Sequence, residues 1–304
     1  MADVGTRKGG HPFLASEPFV PMDVATAASF DDLINIALAE DVGDGDITSR
    51  LVVEPDLRWG GRIVARTPGV VAGLGIAARV FTLVDPSTKV VLIVHDGSAV
   101  DGARVLATLE GEARSLLTAE RVALNFLGRL SGIATLTHRY VDATAGTSTK
   151  ITDTRKTTPG LRALERYAVR AGGGVNHRFG LADAVLIKDN HIAAVGSVKF
   201  AVKRARAGIA PGTVIEVECD RLEQVADAVE AGADSVLLDN MDTETMRRAV
   251  ELARGRAIVE ASGGMTVERV AETAATGVDV ISIGALTHSA PALDVALDFD
   301  MGRR

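Results

Sequence analysis

Charged and glycine residues in the second half of this 304-residue chain fall at the ends of short apolar runs. Asp153, Thr154, Arg155 and Lys156 follow Ile151, and Lys188, Asp189 and Asn190 follow Ala184–Ile187. Glu216 and Glu218 lie in the run from Val214, and Asp239 and Asn240 end the run from Ser235. Ser262, Gly263 and Gly264 follow Ala257–Ala261, and Gly284 and Ala285 follow Val278–Ile283. Parallel β/α folds bind ligands at the carboxyl ends of their strands, so these positions are candidate ligand groups. The early ends carry cations, which suit a carboxylate or pyrophosphate. The middle ends carry carboxylates, which suit hydrated Mg²⁺ or ribose hydroxyls. The last two carry glycines ahead of helices, where bare backbone N–H groups cradle phosphate. Together they describe a site for a phosphorylated sugar with a metal, beside a site for an organic acid.

Each group also has a plainer reading. Lys188 could be a surface lysine with a buried stem, although a charge at a buried strand end is more often functional. Arg162, Arg166 and Arg170 repeat every four residues after Thr158-Pro159, the spacing of a solvated helix face; Arg162, nearest the loop, is the best functional candidate of the three. His177 and Arg178 follow the run Gly172–Gly174, a setting that favours function over a lone loop histidine. Glu216 and Glu218 share a strand face, and one of them reads as a structural acid lining a barrel. Cys219 faces the other way, into the core. His95, His138 and His288 have no supporting neighbours. The string GLGIAA (residues 73–78) imitates a dinucleotide fingerprint but lies outside the β/α repeat.

Net charge is −7, from 33 Lys+Arg against 40 Asp+Glu, and aromatic residues are 4% of the chain. Both argue against nucleic acid as a partner. From Lys150 to Asn190, however, eight basic residues stand against four acids, a local excess that suggests a small polyanionic ligand. One cysteine cannot form an internal disulfide, which points to a reducing, cytoplasmic setting. No apolar run is long enough for a membrane span.

The elements that must position these groups read in two styles. Residues 33–40 form a helix capped by Ser29 or Asp31. Short β-like runs follow at Arg62–Arg66, Val70–Ala72, Val90–Val94 and Val105–Glu110, and residues 115–145 are helical. From residue 150 strand, loop and helix repeat. Strands are expected at Ile151–Thr154, Ala184–Lys188, Val214–Glu218, Ser235–Asp239, Ala257–Ala261 and Val278–Ile283. Helices there stop at Gly208, Gly232, Gly255 and Gly277, with starts at Asp220 and at Asp242 or Thr243. Six such units are too few for a full eight-stranded barrel, so periodicity leaves a short barrel and an open sheet both standing.

The stretch Asp153–Ile192, with EDVGDGDIT (residues 40–48), LLTAER (116–121), NFLGRLSGIAT (125–135), EVE (216–218), LLDN (237–240), EASGG (260–264) and SIGALTHS (282–289), resembles the quinolinate phosphoribosyltransferase family. The match is colinear from about residue 30 to 300. The resemblance implies an α/β protein: an incomplete six- or seven-stranded α/β barrel (130–289) and an N-terminal α/β sandwich-like domain (27–129, joined by 290–304). A flexible lead (1–26) would precede them. It implies transfer of phosphoribosyl from phosphoribosyl pyrophosphate to quinolinate with decarboxylation, by a homodimer or a multiple of dimers. Quinolinate would meet Arg155, His177, Arg178, Lys188 and a partner subunit's Arg121. Phosphoribosyl pyrophosphate with Mg²⁺ would meet Lys156, Glu218 and Asp239, which are also the catalytic candidates. Its 5′-phosphate would rest on Ser262, Gly263, Gly264, Gly284 and Ala285. A paralogous transferase for another heterocyclic acid, a Schiff-base aldolase using Lys188 and a non-enzymatic phosphosugar binder are the competing readings.

Overall fold

The structure is a computed structural model and describes residues 18–300. In chain order the first elements are α1 (Val24–Ala27), α2 (Asp31–Val42), α3 (Ile47–Val52), β1 (Arg58–Ala65), β2 (Gly69–Val70) and α4 (Leu74–Val84). Then come β3 (Lys89–Leu92), β4 (Ala99–Val100), β5 (Arg104–Glu112), α5 (Ala113–Ala143), β6 (Lys150–Thr152) and α6 (Arg162–Ala171). The repeat follows: β7 (Val185–Ile187), α7 (Asp189–Val195), α8 (Val198–Gly208), β8 (Ile215–Cys219), α9 (Leu222–Ala231) and β9 (Ser235–Asp239). It continues as α10 (Thr243–Ala253), β10 (Ile258–Ser262), α11 (Val267–Ala274), β11 (Val280–Ser282) and α12 (Ala285–His288), and β12 (Val295–Phe299) is the last element of the described residues. Two compact units result. One holds Pro18–His138, Thr158–Gly173 and residues 289–300; the other holds Arg139–Thr157 and Gly174–His288.

The first unit is built on an antiparallel sheet of order β12-β1-β5-β3. β12 pairs with β1 from Gly61↔Phe299 to Ala65↔Val295, so the C-terminal segment completes the N-terminal sheet. Ile63, Leu106, Ile76 and Phe81 are fully buried in its core. GLGIAA is the start of α4, and its left-handed Gly73 is the N-cap. The buried Asp96 accepts from Gly73 N (3.0 Å) and Leu74 N (3.1 Å), occupying the helix end where a dinucleotide would need space. Within residues 18–26 of the expected lead, Phe19 and Met22 make contacts while six of the nine residues are exposed. Phe19 lies 5.3 Å from the Tyr167 ring, and Met22 N donates to Tyr167 Oη at 2.7 Å. Residues 1–17 of that lead lie outside the described residues. The cap expected at Ser29 or Asp31 is also corrected: Phe30 is the N-cap of α2, and Ser29 Oγ donates to Thr26 O instead.

The second unit is an all-parallel sheet of order β6-β11-β10-β9-β8-β7. All six strands fall where the apolar runs placed them, because strands buried on both faces read as continuous apolar segments. β6 and β7 are its edges. Val175 forms an isolated parallel bridge with Thr152, leaving an incomplete barrel. Helix starts carry side-chain caps at Ser197, Asp242 and Thr266, and Gly232 closes α9 in the left-handed region. α9 is the exception: Arg221, not Asp220, is its N-cap, and Asp220 N donates to Gln224 Oε1. Among the described residues no helix is long and apolar enough to cross a membrane.

Candidate active site

The carboxyl ends of the six parallel strands surround a cavity of about 500 Å³ in the second unit. Thr154, Arg155 and Lys156 reach it from the end of β6, and His177 and Arg178 from the loop that bridges to β6. Lys188 follows β7, Glu218 is the penultimate residue of β8, and Leu237 and Asp239 come from β9. Glu260 and Ser262 on β10 and Ser282 on β11 close the circle. Nine residues singled out from the sequence thus share one cavity: Thr154, Arg155, Lys156, His177, Arg178, Lys188, Glu218, Asp239 and Ser262.

The remaining candidates divide. Gly263, Gly264, Gly284 and Ala285 do not line the cavity but flank residues that do. Gly263 has φ +92°, and a Cβ there would stand 2.2 Å from Asn240 Oδ1, so only glycine fits the turn. A Cβ on Gly284 would meet the Lys156 chain at 3.0 Å. Arg269 on α11 ties the glycine turn down, donating through Nη1 to Gly263 O (3.1 Å) and through Nη2 to Met241 O (3.0 Å). Arg121 is on α5 in the first unit, 62% exposed, with Glu120 Oε1 at 3.9 Å. Arg162, on α6 of that same unit, is half-buried and does not line the cavity.

The cations are held differently. Arg155 and Lys156 are exposed. Arg178 is buried and donates to Ala184 O at 3.0 Å; burial, and then the charge of Arg155, pull its pKa down. Two arginines held this close favour a dianionic ligand that relieves their repulsion. Lys188 Nζ is hydrogen bonded to Glu218 Oε2. A Schiff-base nucleophile stands free in an apolar pocket, so this ion pair removes the support for the aldolase reading.

Beneath the cavity lies a polar floor. Asp153, fully buried, accepts from Asn176 Nδ2 (2.7 Å) and His177 N (2.8 Å) and so anchors the loop. His177 Nδ1 accepts from Arg178 N at 2.8 Å, and Nε2 faces Glu216 Oε2 at 3.0 Å and Glu260 Oε2 at 3.4 Å. Glu216 Oε1 in turn accepts from Ser235 Oγ at 2.9 Å. Burial first, then Glu260, raise the Glu216 pKa. Burial opposes charge on the His177 ring, and the carboxylates of Glu260 and Glu216 favour it and raise its pKa. A second ring proton would nevertheless have to sit on Nδ1, against the Arg178 N–H. The hydrogen-bond arrangement therefore holds the neutral ring, protonated on Nε2. Asp153, a strand-end candidate from the sequence, anchors the loop and does not line the cavity, while Glu260 and Arg269 were not singled out as site residues from the sequence. Glu260 carried a usable signal, a carboxylate inside the apolar run AIVEA, by the same logic that picked out Lys188.

Strand ends with charge of both signs around one cavity characterise β/α enzymes acting on small anionic substrates. Family models describing the quinolinate phosphoribosyl transferase N-terminal and C-terminal domains match residues 46–131 and 133–298. A Bacillus subtilis protein named probable nicotinate-nucleotide pyrophosphorylase (carboxylating) is 46% identical over 266 residues, 88% of this chain and 92% of its own. The Mycobacterium leprae protein named nicotinate-nucleotide pyrophosphorylase (carboxylating) is 47% identical over 273 residues, 88% of this chain and 96% of its own. The solved structure of NadC from Streptococcus pyogenes is 40% identical and covers 94% of this chain and 99% of that one, with a TM-score of 0.87. The chain belongs to the quinolinate phosphoribosyltransferase family.

Proposed function

We propose that this enzyme transfers the phosphoribosyl group of phosphoribosyl pyrophosphate to quinolinate. The products are nicotinate mononucleotide, pyrophosphate and CO₂, a step toward NAD. The observation that carries the reading is the cavity in which Arg155, Arg178 and Lys188 face Glu218 and Asp239.

Quinolinate is a dianion and its co-substrate carries a pyrophosphate, so their approach is opposed by charge wherever water is thin. Arg155, Arg178 and Lys188 offset that repulsion, and the arginines fix the ring plane through two-pronged bonds to carboxylate. Both ring nitrogens of His177 are engaged by protein groups, so its contribution to this subsite runs through Arg178 and the ring edge. The pyridine nitrogen forms a bond to the anomeric carbon as the bond to pyrophosphate breaks, and the leaving group keeps the electron pair. Lys156 faces the departing charge, and Glu218 and Asp239 stabilise positive charge on the ribose. The ring nitrogen is then cationic. The bond to the 2-carboxylate breaks, its electrons stay on the ring carbon beside that nitrogen, and a proton completes the mononucleotide. The 5′-phosphate is assigned to Ser262–Gly264 and Gly284–Ala285.

Two hard oxygen donors on neighbouring strands, Glu218 and Asp239, fit the Mg²⁺ that the family implies. They would hold it, and its chemistry is to neutralise charge on the pyrophosphate.

The active unit is a homodimer or a multiple of dimers, in which Arg121 of the partner subunit completes the acid-binding group. The exposure of Arg121 and of the apolar Ile36, Ile47, Leu51 and Val52 in the same unit supports this. The buried, unpaired Cys219 supports a reducing, cytoplasmic setting. Incubation with quinolinate, phosphoribosyl pyrophosphate and Mg²⁺, followed by mass analysis, tests the activity. Nicotinate mononucleotide should accumulate; an intact dicarboxylate nucleotide or no product contradicts the reading.

A further inference from the structure

Glu260 stands in the middle of β10, between the buried Val259 and Ala261, and is 0% exposed. Neither of its carboxylate oxygens has a hydrogen-bond partner among the described residues. A buried carboxylate left this way costs several kcal/mol, far more than an apolar residue would at that position. The ring nitrogen facing it is His177 Nε2, at 3.4 Å. Glu216 faces the same nitrogen from β8, with β9 between the two strands. The imidazole is therefore pinned across the barrel interior, between two strands that are not neighbours. Because Nδ1 accepts from Arg178 N, any rotation of the ring also releases the backbone of Arg178.

We propose that Glu260 is a positioning residue for the aromatic acid: with Glu216 it fixes the His177 ring in the barrel floor, and through His177 it sets the Arg178 guanidinium. The proposal rests on quinolinate being the acceptor that Arg178 meets. Glu260 touches no reacting atom in this scheme. Its effect belongs to acid recognition, not to the phosphoribosyl donor, and that separates it from Glu218 and Asp239. Its effect depends on an oxygen dipole facing the Nε2–H that Glu216 accepts, more than on net charge, so a glutamine that turns its carbonyl toward that ring edge should substitute for it.

The test compares Glu260→Ala and Glu260→Gln with the parent enzyme in steady-state kinetics, and reads the His177 ring nitrogens of the parent by ¹⁵N spectroscopy. Glu260→Ala should raise the quinolinate KM about tenfold or more, with the phosphoribosyl pyrophosphate KM within about twofold, while Glu260→Gln stays within about threefold for both. The parent ring should show a bare Nδ1 and a protonated Nε2. An unchanged quinolinate KM in the alanine variant overturns the proposal. So does an equal rise in both KM values, which would place Glu260 on the donor. A glutamine variant as impaired as the alanine, or a parent ring protonated on both nitrogens, also overturns it. Should Glu260→Ala fail to fold, the glutamine variant and the ring spectrum decide. If the parent forms no mononucleotide, the functional reading fails; the spectrum and calorimetric binding of quinolinate to the parent and to Glu260→Gln still decide the positioning role.

Discussion

Lys188, at the end of β7, is hydrogen bonded to Glu218, at the end of the adjacent β8, so a candidate acid-binding cation and a candidate sugar-binding carboxylate neutralise each other in the free enzyme. Glu218 is about one-fifth exposed and Lys188 under half, so substrates can reach both groups. An incoming carboxylate must compete with Glu218 for the ammonium, and the freed Glu218 becomes available to the ribose or the metal. With the roles proposed for Lys188 and Glu218, this one ion pair would link the two substrates.

The linkage predicts non-additive mutations. Lys188→Met and Glu218→Gln should each lower kcat/KM by at least about tenfold. The double variant should lose less than the sum, with a coupling of about 0.5–3 kcal/mol. A double-mutant cycle on kcat/KM measures it, and strict additivity would separate the two side chains in function.

The glycine turn predicts a local stability effect. Gly263→Ala places a Cβ in the left-handed region against Asn240 and should cost about 1–3 kcal/mol, read as a lower Tm, together with a raised KM for phosphoribosyl pyrophosphate. Gly212 also has positive φ (+86°), but a Cβ there would meet nothing within 4 Å, so Gly212→Asn carries backbone strain without a clash and should lower Tm less than Gly263→Ala. Equal Tm values for the two variants would remove the steric role of Gly263.

Subunit sharing predicts complementation. Arg121→Ala and Lys188→Ala variants, each weak alone, should regain part of the activity when mixed and allowed to exchange subunits. Exchange confirmed by mass, with no recovery, would place Arg121 outside the site.

Cys219 should be inert while the protein is folded. Burial, then the charges of Asp220 and Glu218, push its thiol up to about 12 from an ordinary value of 9.0. Raising a thiol pKa lowers the thiolate fraction at any pH below it. Iodoacetamide at about pH 8 should therefore leave the native protein unlabelled and alkylate it once urea unfolds the chain. Rapid native labelling would contradict the burial.

The sequence exposed the parallel half of the fold well, for a physical reason. Strands such as Ser235–Asp239, covered on both faces, are apolar throughout, and the polar residue that ends each run marks the ligand side. The antiparallel half was harder. β12 buries only Leu297 among four half-exposed residues, Asp298 included, so its pattern resembles a tail until β1 supplies its partner. α4 was hidden by glycines that imitate a phosphate loop, and its cap, Asp96, lies more than twenty residues away. The floor of the site could not be read in advance because its contacts join β8, β10 and the His177 loop, which are distant in sequence. Only the intrusion of Glu216 and Glu260 into apolar strands announced it. Arg269 carried no such mark, since an arginine in the first turn of α11 looks like any surface residue.

The central claim is that one cavity carries out both glycosyl transfer and decarboxylation of the same acceptor. The direct test supplies quinolinate labelled with heavy carbon in its 2-carboxyl group, together with phosphoribosyl pyrophosphate and Mg²⁺, and follows labelled CO₂ and nicotinate mononucleotide over time. Equal amounts of the two, formed at one rate and both slowed to the same extent by Lys188→Met, are the predicted result. Labelled carbon retained in the nucleotide, or CO₂ released without phosphoribosyl pyrophosphate, would contradict it.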